Sequence, residues 1–254
     1  HYFNKTQDRI FELPCPVVTL RDMDEFAAEV DVRYLERSRN PTTGRVSESL
    51  HTERVRCYLG RPDSPAVKAY ADYFDEKRTL IRAVTDAIPV EERPKVYYAG
   101  VDMLTTYGTY SDLCELIEDA GGIAVGRGLA AGNRTQITFE ELAAWDPEYI
   151  FIDHGGMNEK DTVEQVLAKT YQNGRYQAID AVAQRRVYLS PSGVFYWDMG
   201  LQKILLLMYV AKTIHPEEFA WLDLKEELQT FYQTFFHYSL TGEEAQRILN
   251  REDP

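Results

Sequence analysis

The sequence predicts an α/β protein: a parallel sheet flanked by helices, one long helix ahead of it, and a truncated first lobe. Three observations carry this. Four short runs rich in β-branched and aromatic residues, "KVYYAG" (95–100), "IAVG" (123–126), "YIFID" (149–153) and "RVYLS" (186–190), each lie one helical segment from the next. Strands alternating with helices build βαβ units, whose parallel sheet is covered on both faces. A helical pattern from about Ala66 to Ile88 would extend roughly 35 Å at 1.5 Å per residue, long enough to join two lobes. The first 64 residues, by contrast, hold no second set of alternating strands.

Along the chain, "CPVVTL" (15–20) has the apolar character of a buried strand and "RDMDEFAAEVDVRYLE" (21–36) that of an acidic helix. "RNPTTGRVS" (39–47) has the composition of a loop. In the long helix Val67, Tyr70, Phe74, Ile81, Val84 and Ile88 trace one face, and "IPVEERP" (88–94) ends it with two prolines. Thr138 with Glu141, Asp161 with Glu164, and Thr241 with Glu244 have the spacing of a capping box, so each predicts a helix start. "AWDP" (144–147) ends a helix, because Pro147 disfavours helical geometry at Asp146. After Asp198, apolar residues at 201, 204, 205, 208 and 211 form one stripe at helical period. These signals divide the chain into a partial N-terminal lobe (1–64), the long helix with its linker (65–93) and an α/β lobe (94–254).

The 254 residues are 44% hydrophobic and 27% charged, ordinary for a globular chain, with a formal charge of −13. That charge argues against nucleic acid as a partner, since phosphates need a cationic face. Basic residues between Arg33 and Arg61 are mixed with acids and read as a solvated face. The longest apolar stretch, Ile204 to Val210, is far short of a membrane span. Neither a signal peptide nor an initiator Met opens the sequence, so a mature form or a fragment is expected. Cys15, Cys57 and Cys114 lack Cys-x-x-Cys spacing; thiols are expected rather than a zinc site, with a single disulfide left open.

In an open parallel sheet, ligands bind outside the carboxyl ends of the strands. That rule selects "VDMLTTYGTYSD" (101–112), "RGLAAGNRT" (127–135), "HGGMNEKD" (154–161) and the loop holding Phe195, Tyr196 and Trp197. One edge is thereby expected to gather Tyr107, Tyr110, Arg127, His154, Phe195, Tyr196 and Trp197, an aromatic wall with a few polar groups that suits a bulky organic ligand. Each has a plainer alternative. His154 serves equally as a turn residue, Tyr107 and Tyr110 as packing residues, and Arg127 as a surface cation. Phe195 is expected to pack, while Tyr196 and Trp197 carry polar tips that favour a wet boundary. Catalytic motifs are missing: there is no Gly-x-Ser-x-Gly, no Walker loop and no His-Glu-x-x-His. "GGIAVGRG" (121–128) straddles a strand, so a Rossmann-like lobe is expected without the dinucleotide fingerprint.

The series "ERPKVYYAG…LCELIEDAGGIAVG…QITFEELAAWDPEYIFI" resembles the C-terminal lobe of periplasmic binding proteins for iron–siderophore, haem and cobalamin. The matching residues are Ala120-Gly121-Gly122, Glu140, Glu141, Trp145, Pro147 and Ile150 to Ile152; "YQAIDAVAQRRVYLSPSG", "AKTIHPEEF" and "FYQTFFHYSLTGEEAQRIL" continue the likeness, which covers about 65 to 254. The resemblance implies a non-enzymatic extracytoplasmic receptor, periplasmic or lipid-anchored at the cell surface. It would deliver a ferric siderophore, haem or cobalamin-like ligand to an ABC importer permease, with no intrinsic cofactor. It also implies two lobes joined by one long helix, ligand between them, and Asp198 as a permease-docking acid; helix N-capping is the alternative for Asp198. "RSRNPTTGRVSESLHTERVRCYLGRP" departs from the family until its final "YLGRP", so an incomplete N-terminal lobe is expected, which a homodimer or a further chain could complete. Two other functions stay open: a single-lobe structural or partner-binding domain, dimeric and without a small ligand, and an α/β enzyme built on His154 and Asp153.

Overall fold

A computed structural model describes residues 65–100, 102–109, 111–129, 135–153, 162–193, 196–198 and 200–252. The strand and helix expected within 1–64, with Cys15 and Cys57, lie outside the described residues. In chain order the elements are α1 (Pro65–Thr85), β1 (Lys95–Ala99), β2 (Thr105–Thr106), α2 (Asp112–Asp119), β3 (Ile123–Ala124), β4 (Thr135–Gln136), α3 (Phe139–Trp145), β5 (Tyr149–Ile152), α4 (Val163–Gln172), α5 (Asp180–Ala183), β6 (Val187–Leu189), α6 (Lys203–Ile214), α7 (Leu224–Phe236) and α8 (Gly242–Leu249). None of these helices is long and apolar enough to cross a membrane.

The described residues fall into two compact units, 65–76 with 229–240, and 77–228 with 241–252. In the first, Tyr70 meets Phe235 edge-on with centroids 5.6 Å apart, and Tyr73 meets Phe231 and Phe235 at 5.7 and 5.3 Å. Such aromatic pairs add about 0.5–1.5 kcal/mol each beyond the area they bury. In the second unit, Arg78 Nε donates to Asp119 (3.0 Å) and the Thr85 hydroxyl to the Asp119 carbonyl (2.8 Å), tying the end of α1 to the end of α2. Burial raises the Asp119 carboxyl, against the pull of Arg78 and Arg82.

The second unit is built on the sheet. β1 pairs in parallel with β5 from Val96↔Tyr149 to Ala99↔Ile152, β5 pairs in parallel with β6, and β3 runs parallel to the start of β1. The parallel order is therefore β3-β1-β5-β6, with the chain winding out from β1 first to one side and then to the other. Where β3 stops, β2 takes over the same edge of β1, antiparallel, and carries β4 on its far side.

Both faces are covered, as unbroken apolar strands require. On one face Tyr97, Ala99, Ile150, Ile152, Val187 and Leu189 pack with Leu142 of α3, Val166 of α4, and Ala181 and Val182 of α5. On the other a layer of rings runs across the sheet: Phe151 lies between Tyr98 and Tyr188, and Tyr209 of α6 meets Phe151 edge-on at 6.2 Å. α6 is buried on nearly every side, from Lys203 through Ile214, and not along one stripe as its spacing predicts. It packs on the sheet through Tyr209 and on α2 as well, so apolar residues are needed on more than one side.

Local signals hold at the helix ends. The Thr138–Glu141 and Thr241–Glu244 boxes are closed in both directions. At α4 the box is Thr162 with Gln165, one residue later than Asp161 with Glu164. The two patterns overlap in "DTVEQ", and the hydroxyl holds the cap. Asp146 sits in a left-handed conformation (φ 45°) ahead of Pro147, and its carboxylate accepts the Asp180 amide at 2.9 Å, linking the end of α3 to the start of α5.

Candidate site at the carboxyl edge of the sheet

The chain leaves β1 in one direction and β5 in the other, so the crevice that holds ligands in doubly wound sheets is expected between their carboxyl ends. Asp153, the residue after β5, stands there. Its amide donates to the Ala99 carbonyl (2.9 Å), which fixes it against the end of β1, and its side chain is fully buried. The Tyr107 hydroxyl donates to the Asp153 carboxyl. This contact crosses from the loop after β1 to the loop after β5. Tyr107 is itself buried, and its ring meets Tyr98 edge-on at 5.8 Å.

The Tyr98 hydroxyl and the Ser190 hydroxyl share a second hydrogen bond, which reaches to the end of β6. Burial, with Asp198 next, raises Tyr98 well above the ordinary tyrosine value and keeps it a neutral phenol. Arg251 enters from beyond α8 and donates to the Ser190 carbonyl at 3.2 Å. Burial lowers its guanidinium; Asp198, Tyr98, Tyr196 and Asp153 pull the other way, which places all four within its electrostatic reach.

Of the residues expected at this edge, Tyr107 is a buried member of the polar network. Tyr196 is exposed (36%), while Trp197 is buried (1%) and meets Tyr209 edge-on at 6.4 Å. The wet boundary expected for the pair thus applies to Tyr196 and not to Trp197, whose ring fills the space over α6. The indole nitrogen of Trp197 is buried without a hydrogen-bond partner among the described residues. Ser192 pairs with Tyr196, so this loop doubles back on itself.

Arg127 ties loops together. Its Nε donates to Glu118 (2.6 Å), its Nη1 to the Thr109 carbonyl (2.6 Å), and the Thr109 hydroxyl returns to the Arg127 carbonyl. Burial lowers Arg127, but the bond and charge of Glu118 outweigh it and leave the guanidinium raised. Asp198 is buried (7% exposed) and stands ahead of a 3₁₀ turn, Gly200–Gln202, that leads into α6, whose own N-cap is Gln202. Only a small part of its surface could meet a docking partner. Tyr110, His154 and Phe195 lie outside the described residues.

Tyr98, Ser190 and Arg251 escape a reading by loops. Ser190 follows a strand directly, so the strand-end rule could have found it. Tyr98 is hidden inside a strand, and Arg251 has no motif around it. Among the described residues no group of three or more His, Cys, Asp or Glu could hold a metal ion. The arrangement offers hydroxyls, ring edges and two guanidiniums, Arg127 and Arg251, that already face carboxylates. Tyr107→Phe is expected to cost about 2 kcal/mol of stability, the loss of a buried hydrogen bond to a carboxyl, measured by urea unfolding; a change below about 0.5 kcal/mol would contradict the pairing.

A family model described as periplasmic binding protein matches residues 65–193. The molybdate-binding protein MolA of Haemophilus influenzae is 25% identical over 176 residues, covering 68% of this chain and 47% of that protein. A periplasmic solute binding protein from Veillonella parvula has a similar fold, with a TM-score of 0.65 and 27% identity over 78% of this chain and 60% of that one. An ABC transporter solute binding protein from Sulfurospirillum deleyianum shares the fold at the same TM-score, 0.65, and 23% identity, over 78% and 60% of the two chains. The chain thus spans about half the length of the curated relative it matches. These relatives are binding proteins and not enzymes.

Proposed function

The chain belongs to the periplasmic binding protein family, and on that premise we propose that it binds a metal chelate, such as a ferric siderophore, haem or a cobalamin-like ligand, for delivery to the permease of an ABC importer. An extracytoplasmic location goes with that role. The observation that carries the ligand class is the chemistry of the crevice. Its described cations already face acids, Arg127 paired with Glu118, and Arg251 in the field of Asp198 and Asp153. A bare oxyanion would have to compete with those carboxylates for either guanidinium. A chelate that carries its charge inside an organic shell can instead use a ring and a neutral hydroxyl at the exposed edge, which Tyr196 supplies.

Molybdate is the second reading, favoured by the name of the 25%-identical relative. Calorimetric titration of the purified chain with a ferric siderophore, haem, cyanocobalamin and sodium molybdate separates the two. Saturable binding of one chelate with molybdate silent is the expected result. Molybdate alone giving heat would establish the second reading, and silence from all four would remove small-ligand capture altogether.

A further inference from the structure

α8 looks like an ordinary closing helix. Its start is fixed by the Thr241–Glu244 box, and its inner face by Ala245 and Ile248, both fully buried. The turn after the helix is less ordinary. Arg251 takes a left-handed conformation (φ 59°) while its amide donates to the Ile248 carbonyl (3.0 Å) and the Glu252 amide to the Arg247 carbonyl (2.7 Å). A non-glycine residue there costs of order 1 kcal/mol and persists where its surroundings hold it. Here the turn aims the guanidinium at Ser190, whose carbonyl it meets at 3.2 Å, with Asp198 the first of its electrostatic neighbours. Ser190 and Asp198 lie at the two ends of the loop that carries Tyr196 and Trp197. One cation therefore holds the Ser190 end of that loop by a hydrogen bond and lies in the charge field of Asp198 at the other end.

We infer that Arg251 is a positioning residue: from the end of α8 it clamps the loop between Ser190 and Asp198 and so sets where Tyr196 and Trp197 stand at the carboxyl edge. Asp198 contributes to the clamp through its charge, which acts on the guanidinium from the far end of the loop. A neutral side chain at 251 loses the charge-assisted contact to the Ser190 carbonyl and leaves Asp198 beside a smaller positive field. Lysine keeps the charge without the planar fork, so it restores the electrostatic half of the clamp and only part of the hydrogen bonding.

The test compares the full chain with Arg251→Met and Arg251→Lys by hydrogen exchange without ligand. In Arg251→Met the amides of 192, 193 and 196–198 are expected to exchange about tenfold faster, with those of α8 unchanged, and Arg251→Lys is expected to recover about half of that change on a logarithmic scale. Loop amides exchanging at the wild-type rate, or α8 loosening as much as the loop, would overturn the inference. Should Arg251→Met not fold, Asp198→Asn is read in the same way: faster exchange confined to the loop supports the clamp, and an unchanged loop refutes it. The consequence for affinity rests on the chelate reading: whichever of the four titrants binds the wild type should bind Arg251→Met about tenfold more weakly. Silence of the wild type toward all of them removes the ligand, while the exchange experiment still decides the clamp.

Discussion

Phe151→Ala is expected to lower the stability of the sheet-bearing unit by about 3–5 kcal/mol, a large share of the roughly 5–15 kcal/mol that a domain typically has. Phe151 is fully buried, stacked between Tyr98 at 6.3 Å and Tyr188 at 5.6 Å, with Tyr209 edge-on. One phenyl ring thus joins β1, β6 and α6 through their side chains. The neighbours cannot close over the gap easily: Tyr98 is held by its bond to Ser190, and Tyr209 by its place in the buried helix. The cavity term therefore adds to the lost transfer energy, and the upper part of the range is expected. Phe151→Leu keeps most of the volume and should cost less than about 1.5 kcal/mol. Urea unfolding followed by circular dichroism reads both. An alanine variant within about 1 kcal/mol of the wild type would mean that the rings are not a close-packed layer.

That layer also shows how far the sequence reaches. "KVYYA" and "YIFI" announce themselves as buried strands because they are dominated by apolar and aromatic residues, and the helices between them require a parallel sheet. The capping boxes at Thr138 and Thr241 are local chemistry and are legible for that reason. β2 and β4 are not: "TT" and "TQ" are two residues each, too short for any period, and they form because β1 has an edge left open where β3 ends. The loops after the strands are identifiable by rule, and Tyr107 and Tyr196 with them. Their partners are less so. In the sequence Asp153 stands out only as a carboxylate beside His154, whereas its structural role depends on a tyrosine 46 residues away. Arg251 meets Ser190 across 61 residues, through a turn that no pattern in "QRILNRED" signals. The indole nitrogen of Trp197 points to a wet boundary; the size of the ring and the space over α6 decide otherwise.

Gly126→Ala tests whether the loops at the carboxyl edge behave as one assembly. A Cβ at Gly126 would lie 2.4 Å from the carbonyl oxygen of Tyr107, well inside any real contact. That oxygen belongs to the backbone and cannot rotate away as a side chain can. The Tyr107 segment is also held from three sides, by β2 pairing at Thr106↔Thr135, by the Thr106 hydroxyl on the Tyr98 carbonyl (2.8 Å), and by the Tyr107–Asp153 contact. Relief must come either by moving that segment or by lifting the turn at 125–128, which would draw Arg127 from Glu118 and Thr109. Either route costs about 3 kcal/mol, toward the upper end for an overpacked core. Both displace residues at the crevice, so whichever of the four titrants binds the wild type should bind the variant at least about tenfold more weakly. Gly128→Ala is the control on the same turn: nothing lies within 4 Å of its Cβ, and it should stay within about 0.5 kcal/mol of wild type with unchanged binding. The contrast between two glycines two residues apart isolates the close approach to Tyr107. Equal effects of the two would show that the turn tolerates a methyl group at either position and that the loops move independently.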